Sequence, residues 1–91
     1  MNEQIELITY VNGVRQFRTV FADEQDTYGD EFARAGQMGL KPKKIFLIHP
    51  HEYQNEEELR HGSKIYTVYR IGMNKKTDKR ELYCEARLGS N

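Results

Sequence analysis

His49 and His51, two residues apart across Pro50, are the side chains of this sequence best suited to hold a metal. In an extended strand alternate residues point the same way, so their imidazoles could converge on one ion. Zinc needs a third and usually a fourth ligand, and His61 and Cys84 are the remaining nitrogen and sulfur donors. Nothing in the spacing brings either one to the pair. The plainer expectation is two surface histidines ending a strand. Glu56-Glu57-Glu58 could supply general acids or metal ligands, but a run of like charges reads first as a solvated face.

Nucleophilic chemistry finds less support. Cys84 is the only cysteine and lies inside a predicted strand with no marker of activation, so it is expected to be a small buried hydrophobe. A lone cysteine excludes an internal disulfide and points to a reducing compartment. The glycines stand singly, with no phosphate loop of the G-x-G-x-x-G or G-K-[ST] kind and no nucleophile elbow. Neither an enzyme nor a cofactor is expected. Tyr66, Tyr69 and Tyr83, with Lys75, Lys76, Lys79 and Arg80, mix aromatics and bases as single-strand-binding surfaces do. That mixture supports one functional reading, a small monomeric β-barrel binding single-stranded nucleic acid. Against it, tyrosines in alternating strands are usually core or interface residues, and lysines guard sheet edges.

The elements that must position these groups are short strands. Ile5 to Val11 and Val14 to Phe21 alternate in polarity around Asn12-Gly13, the two-residue signal of a type I′ hairpin. Phe17, Thr19 and Phe21 share one face of the second strand, with Arg18 on the other. Alternation fades over Asp23 to Asp26, which reads as solvated. A helical pattern follows: Asp30 as N-cap, Glu31 in the first turn, and Tyr28, Phe32, Ala35 and Gly39 along one face. Gly39 suits the C-terminal cap and Pro42 forbids continuation. So short a helix must dock on something, and Phe32 is its expected anchor.

Lys43 to His49 is the next strand, and Ile45-Phe46-Leu47-Ile48 makes it apolar on both faces. Glu56 to Arg60, Lys64 to Ile71 and Arg80 to Leu88 complete the set. The fold class expected is mainly β (α+β): an antiparallel barrel of about six strands with one short helix inserted after the second, the insert spanning about residues 23–44.

The 91 residues suit a single domain, too short for two independent cores. With 37% hydrophobic and 31% charged residues, the core is thin and the surface heavily charged, which favours burial against partners or copies. Net charge is zero, against a general nucleic-acid binder, but its distribution is uneven. Residues 1–40 hold seven acids and three bases, and residues 41–91 hold seven acids and eleven bases. Such asymmetry could orient identical subunits head to tail; the alternative is a folded surface that mixes both signs. The opening Met1-Asn2-Glu3-Gln4 lacks the features of a signal peptide, and no apolar stretch suits a membrane helix, so a soluble, non-exported protein is expected.

Glu31-Phe32-Ala33-Arg34-Ala35-Gly36-Gln37-Met38-Gly39-Leu40-Lys41-Pro42 resembles a segment of the head-closure proteins of tailed bacteriophages, also called head–tail connector, adaptor or stopper proteins. Phe21-Ala22, Glu52-Tyr53, Gly62 to Arg70 and Glu81 to Glu85 extend the resemblance over roughly residues 17–86. The short first strand departs from it, lacking the basic opening common in relatives. The resemblance implies a structural virion protein at the head–tail junction, assembled in the bacterial host cytoplasm. It implies a cyclic ring of copies that closes the DNA channel after packaging and offers the tail its attachment platform. The implied partners are portal or adaptor ring proteins on one side and tail-completion or tail-tube proteins on the other, with DNA passing unbound and no membrane involved. Asp30, Glu31, Arg34, Gln37, Lys41, Lys43 and Lys44 are then the expected exposed contacts to the channel or the adjoining ring. The two-sided apolar strand and the dependent helix would be buried between subunits.

Overall fold

The computed structural model describes residues 2–25 and 42–86. Its strands are β1 (Asn2–Val11), β2 (Val14–Gln25), β3 (Pro42–Ile48), β4 (Glu58–His61), β5 (Lys64–Asn74) and β6 (Lys79–Ala86). They close a barrel in the order β1-β2-β3-β6-β5-β4, and every neighbouring pair is antiparallel. A single 3-10 turn, Pro50–Glu52, follows β3. The expected six-stranded antiparallel barrel is the architecture found.

The first hairpin sets the register. Asn12 and Gly13 both take positive φ, at 53° and 79°, as a type I′ turn requires. That turn pairs Val11 with Val14 and carries the ladder through to Asn2 opposite Asp23. Ile5 thereby faces Val20, and Glu3 faces Ala22. A slip of one residue would turn all of them outward. The barrel is filled by Ile5, Leu7, Val20, Ala22, Phe46, Ile48, Leu59, Tyr66, Leu82 and Cys84. Phe17 and Phe21 fall on the opposite face of β2 and remain exposed.

β3 is buried on both faces within this one chain. Phe46 and Ile48 enter the interior, while Ile45 and Leu47 form an outer cluster with Tyr83, against which Tyr69 packs. The expected burial of this strand between subunits is therefore corrected: its apolar faces are already covered. The reason is the alternation of β6, which sends Leu82 and Cys84 inward and Tyr83 outward beside it.

The insert is shorter than expected at both ends. Asp23, Glu24 and Gln25 are not solvated loop but half-buried strand, paired with Leu47, Phe46 and Ile45. Lys44 belongs to β3, which opens with Pro42 at a strand's first position, where a missing amide is tolerated. Polar residues broke the alternation here, yet each acid finds a cation, so the strand runs on. The segment between β2 and β3 is thus residues 26–41. The expected helix from Asp30 to Gly39, with its anchor Phe32, lies outside the described residues.

The end of the barrel near Arg18 is closed by a buried ion pair. Glu56 is 3% exposed, contrary to its reading as part of a solvated face. Arg18 donates through Nη2 to Glu56 Oε2 at 2.5 Å and to the Glu52 carbonyl at 2.6 Å, while the Gln54 amide donates to Glu56 Oε1 at 2.8 Å. The Tyr53 hydroxyl donates to the Glu56 carbonyl at 2.6 Å. Burial, aided by the Glu56 charge, pushes the Tyr53 phenol up to about 12, so it remains a donor.

Two substitutions test this packing. Phe46→Ala should cost about 4 kcal/mol in urea unfolding, as a large buried ring leaves a cavity. Arg18→Ala should cost about 2–3 kcal/mol, less than a fully buried pair because the guanidinium side is partly in water. A loss under 1 kcal/mol in either would contradict the assigned contact.

Candidate functional site

Both roots of the 26–41 segment rise from the barrel end opposite Arg18, about 20 Å along β2 at roughly 3.3 Å per residue. Four strands send charged or titratable side chains into this rim: Glu3 from β1, Glu24 from β2, Lys44 from β3 and His61 from β4. They meet because inward-facing positions alternate along each strand, and the apolar filling stops one residue pair short of the end. Lys44 Nζ donates to Glu24 Oε2. His61 Nε2 lies 2.6 Å from Glu3 Oε1, its ring edge-on to Phe46 with centroids 5.2 Å apart.

Electrostatics keep this rim charged. The hydrogen bond to His61, then that with Glu24, holds the Glu3 carboxyl below the usual carboxylate range. The hydrogen bond to Glu24 raises the Lys44 ammonium above its ordinary value despite partial burial. Just outside, Lys79 Nζ reaches Asp23 Oδ2 at 2.7 Å and lowers that carboxyl too. The segment's departing strand is therefore clamped to β3 and β6, and its returning strand to β2.

Of the residues expected to make contacts, Asp30, Glu31, Arg34, Gln37 and Lys41 lie outside the described residues, as does Phe32. Lys43 is in β3 by its backbone. Lys44, expected to be exposed, is instead half-buried and committed to Glu24. Sequence inspection missed Glu3, Glu24 and His61 as its companions. No period or motif links them in the sequence, since they come from three strands other than that of Lys44.

The metal candidates separate. The His49 and His51 rings stack 5.5 Å apart at 29°, on either side of the 3-10 turn's first residue. Cys84 is in the core, and burial pushes its thiol far up, so it stays protonated. Among the described residues, the group with metal-compatible spacing is Glu3, Glu24 and His61, whose ligand atoms lie within 4.8 Å of one another. The Lys44 ammonium already sits on Glu24 there, so this donor set carries an internal cation.

The aromatic platform is also dispersed. Tyr66 is 5% exposed inside the barrel, and Tyr69 and Tyr83 belong to the outer cluster with their rings 6.4 Å apart. The Arg70 guanidinium covers the Tyr83 ring at 3.8 Å. A concavity of about 630 Å³ among the described residues lies elsewhere, between the end of β1 and the approach to β4. Its Tyr10 hydroxyl donates to Glu58 at 2.8 Å.

No family model, curated protein or solved structure matches this chain.

The lowered carboxyls predict a direction of acid sensitivity. Glu3, Glu6 and Asp23 are held below their ordinary values by His61, Arg60 and Lys79 respectively. Their contribution is present above the unfolded-state pKa and is lost as pH falls through the lower folded values. Urea unfolding should be flat down to about pH 5 and weaken below about pH 4. In Lys79→Met the acid decline should be shallower, and an unchanged slope would remove Asp23 from the account.

Proposed function

We propose that this chain is a structural virion protein of a tailed phage or prophage, forming a ring at the head–tail junction. In this reading the ring closes the DNA channel after packaging and provides the platform on which the tail docks. The observation that carries it is a rigid six-stranded barrel presenting a 16-residue segment from one rim, with both roots clamped by ion pairs. That segment contains the longest single stretch of the resemblance to head-closure proteins, Glu31 to Lys41. A stiff frame with one long presented connection suits a ring whose subunits each contribute one contact segment to a shared channel.

The partners in this reading are the portal or adaptor ring on one side and tail-completion or tail-tube proteins on the other. Copies of the chain flank each subunit, and DNA passes without specific contacts. The contact residues remain Asp30, Glu31, Arg34, Gln37, Lys41 and Lys43. Lys44 moves from contact to clamp, since its charge is neutralised within the barrel. The alternative reading, single-stranded nucleic-acid binding, would draw on Tyr69 and the Lys75–Arg80 turn, since Tyr66 is enclosed.

The test is association with particles. The protein should copurify with DNA-filled heads and be missing from empty precursors. Glu31→Lys combined with Lys43→Glu should abolish that association while leaving the unfolding midpoint of the isolated chain within about 0.5 kcal/mol of wild type. Absence from filled heads, or affinity for single-stranded DNA that falls steeply with salt, would overturn the proposal.

A further inference from the structure

Glu3, Glu24 and His61 share one inward-facing layer at the rim that roots the 26–41 segment. Each lies two residues beyond a core side chain of its own strand: Ile5, Ala22 and Leu59. Strands β4, β1 and β2 are consecutive around the barrel, so all three groups come from adjoining strands. One ligand atom from each lies within 4.8 Å of the other two. The fully buried Phe46 forms the floor and packs edge-on against the His61 ring. The Glu24 and His61 side chains are 21% exposed and that of Glu3 37%, so solvent ions reach a set held by strands.

Two features separate this set from an ordinary group of surface acids. One donor is an imidazole nitrogen, His61 Nε2, already 2.6 Å from Glu3 Oε1. A cation also stands in the set: Lys44 Nζ donates to Glu24 Oε2, one ammonium against two carboxylates. We propose that Glu3, Glu24 and His61 bind a divalent transition-metal ion, Zn²⁺ by their donor types, in competition with the Lys44 ammonium. One nitrogen and two carboxylate oxygens form a three-ligand set that zinc accepts, with a fourth position left to water. The ion takes the place of the proton between His61 Nε2 and Glu3 Oε1 and draws Glu24 away from Lys44. Bonds of about 2.0–2.2 Å hold the donor atoms about 3.3 Å apart, so the side chains shift by no more than about 1.5 Å. The Lys44 side chain is already 28% exposed and moves out into water. The bound ion ties β4 to β1 and β2, reinforcing the three residue pairs that join β1 to β4. This site concerns the single chain and does not depend on the ring proposed above.

Calorimetric titration of the folded chain with Zn²⁺ tests the assignment. Wild type should bind one ion per chain and unfold at higher urea when the ion is present. Glu3→Gln and His61→Leu should each weaken binding by at least about tenfold, since even loss of a residue supporting a ligand costs that much. Lys44→Met removes the competing ammonium and should bind more tightly than wild type, a gain that loss of folding cannot produce. His49→Asn/His51→Asn, which removes the stacked histidine pair, should bind as wild type does. With Co²⁺ in place of Zn²⁺, the absorption should lack a thiolate band, because Cys84 is buried in the core. No saturable binding at hundreds of micromolar Zn²⁺, unchanged affinity in His61→Leu, or weaker binding in Lys44→Met would each overturn the site. Loss of binding in His49→Asn/His51→Asn, or a thiolate band with Co²⁺, would do the same.

Discussion

Closure of this barrel passes through a seam only three residue pairs long, where Asp23, Glu24 and Gln25 meet Leu47, Phe46 and Ile45. The ladder between β1 and β2 is ten pairs long, and that between β3 and β6 runs nearly the whole length of β3. The β1–β2 hairpin is thus joined to the other four strands by two short seams, this one and the three pairs between β1 and β4. A seam made of acids holds because each acid has a cation from the adjoining strands: Lys79 for Asp23 and Lys44 for Glu24. Partly buried pairs in these positions are screened less than exposed ones, so they can serve where apolar packing is thin. The shortness of the seam has two further consequences. The 26–41 segment leaves and returns at its far side, and among the described residues β2 pairs with β3 only over Asp23–Gln25.

The uneven charge of the sequence is largely absorbed within the fold. Glu3, Glu6, Asp23 and Glu24 come from the acidic first part, and they pair with His61, Arg60, Lys79 and Lys44 from the basic second part. The asymmetry could have oriented one subunit against the next. Instead the barrel brings β1 and β2 beside β4 and β3, so the complementary charges meet in one chain. These four acids and their counter-ions stitch strands of one barrel together, and contact between copies must draw on other groups.

The same economy applies to the groups that promised chemistry. Cys84 and Tyr66 fill the core, Glu56 is fixed by Arg18 and the Gln54 amide, and Lys44 is held by Glu24. Glu56, Glu24, Lys44, Glu3 and His61 each find a partner there, as burial demands. Among the described residues, Phe17 and Phe21 of β2 stay on the outside, with the Arg60 guanidinium 4.2 Å over the Phe17 ring.

Sequence alone determined the local, periodic features. Asn12-Gly13 favoured its turn because that dipeptide readily accommodates two positive φ values, and the alternation of Ile5, Leu7, Val20 and Ala22 required strands with one face inward. The run Ile45–Ile48 required a strand covered twice. Tertiary structure decided everything that depended on which strands became neighbours. The polar stretch Asp23–Gln25 has no alternation, and it is strand only because Lys79 and Lys44 arrive from far along the chain to neutralise it. Glu56 is buried because Arg18, 38 residues earlier, reaches it, while its neighbour Glu57 stays in water. Long-range charge pairing leaves no mark on the spacing of residues, because the distance along the chain between partners is set by topology and not by any helical or strand period.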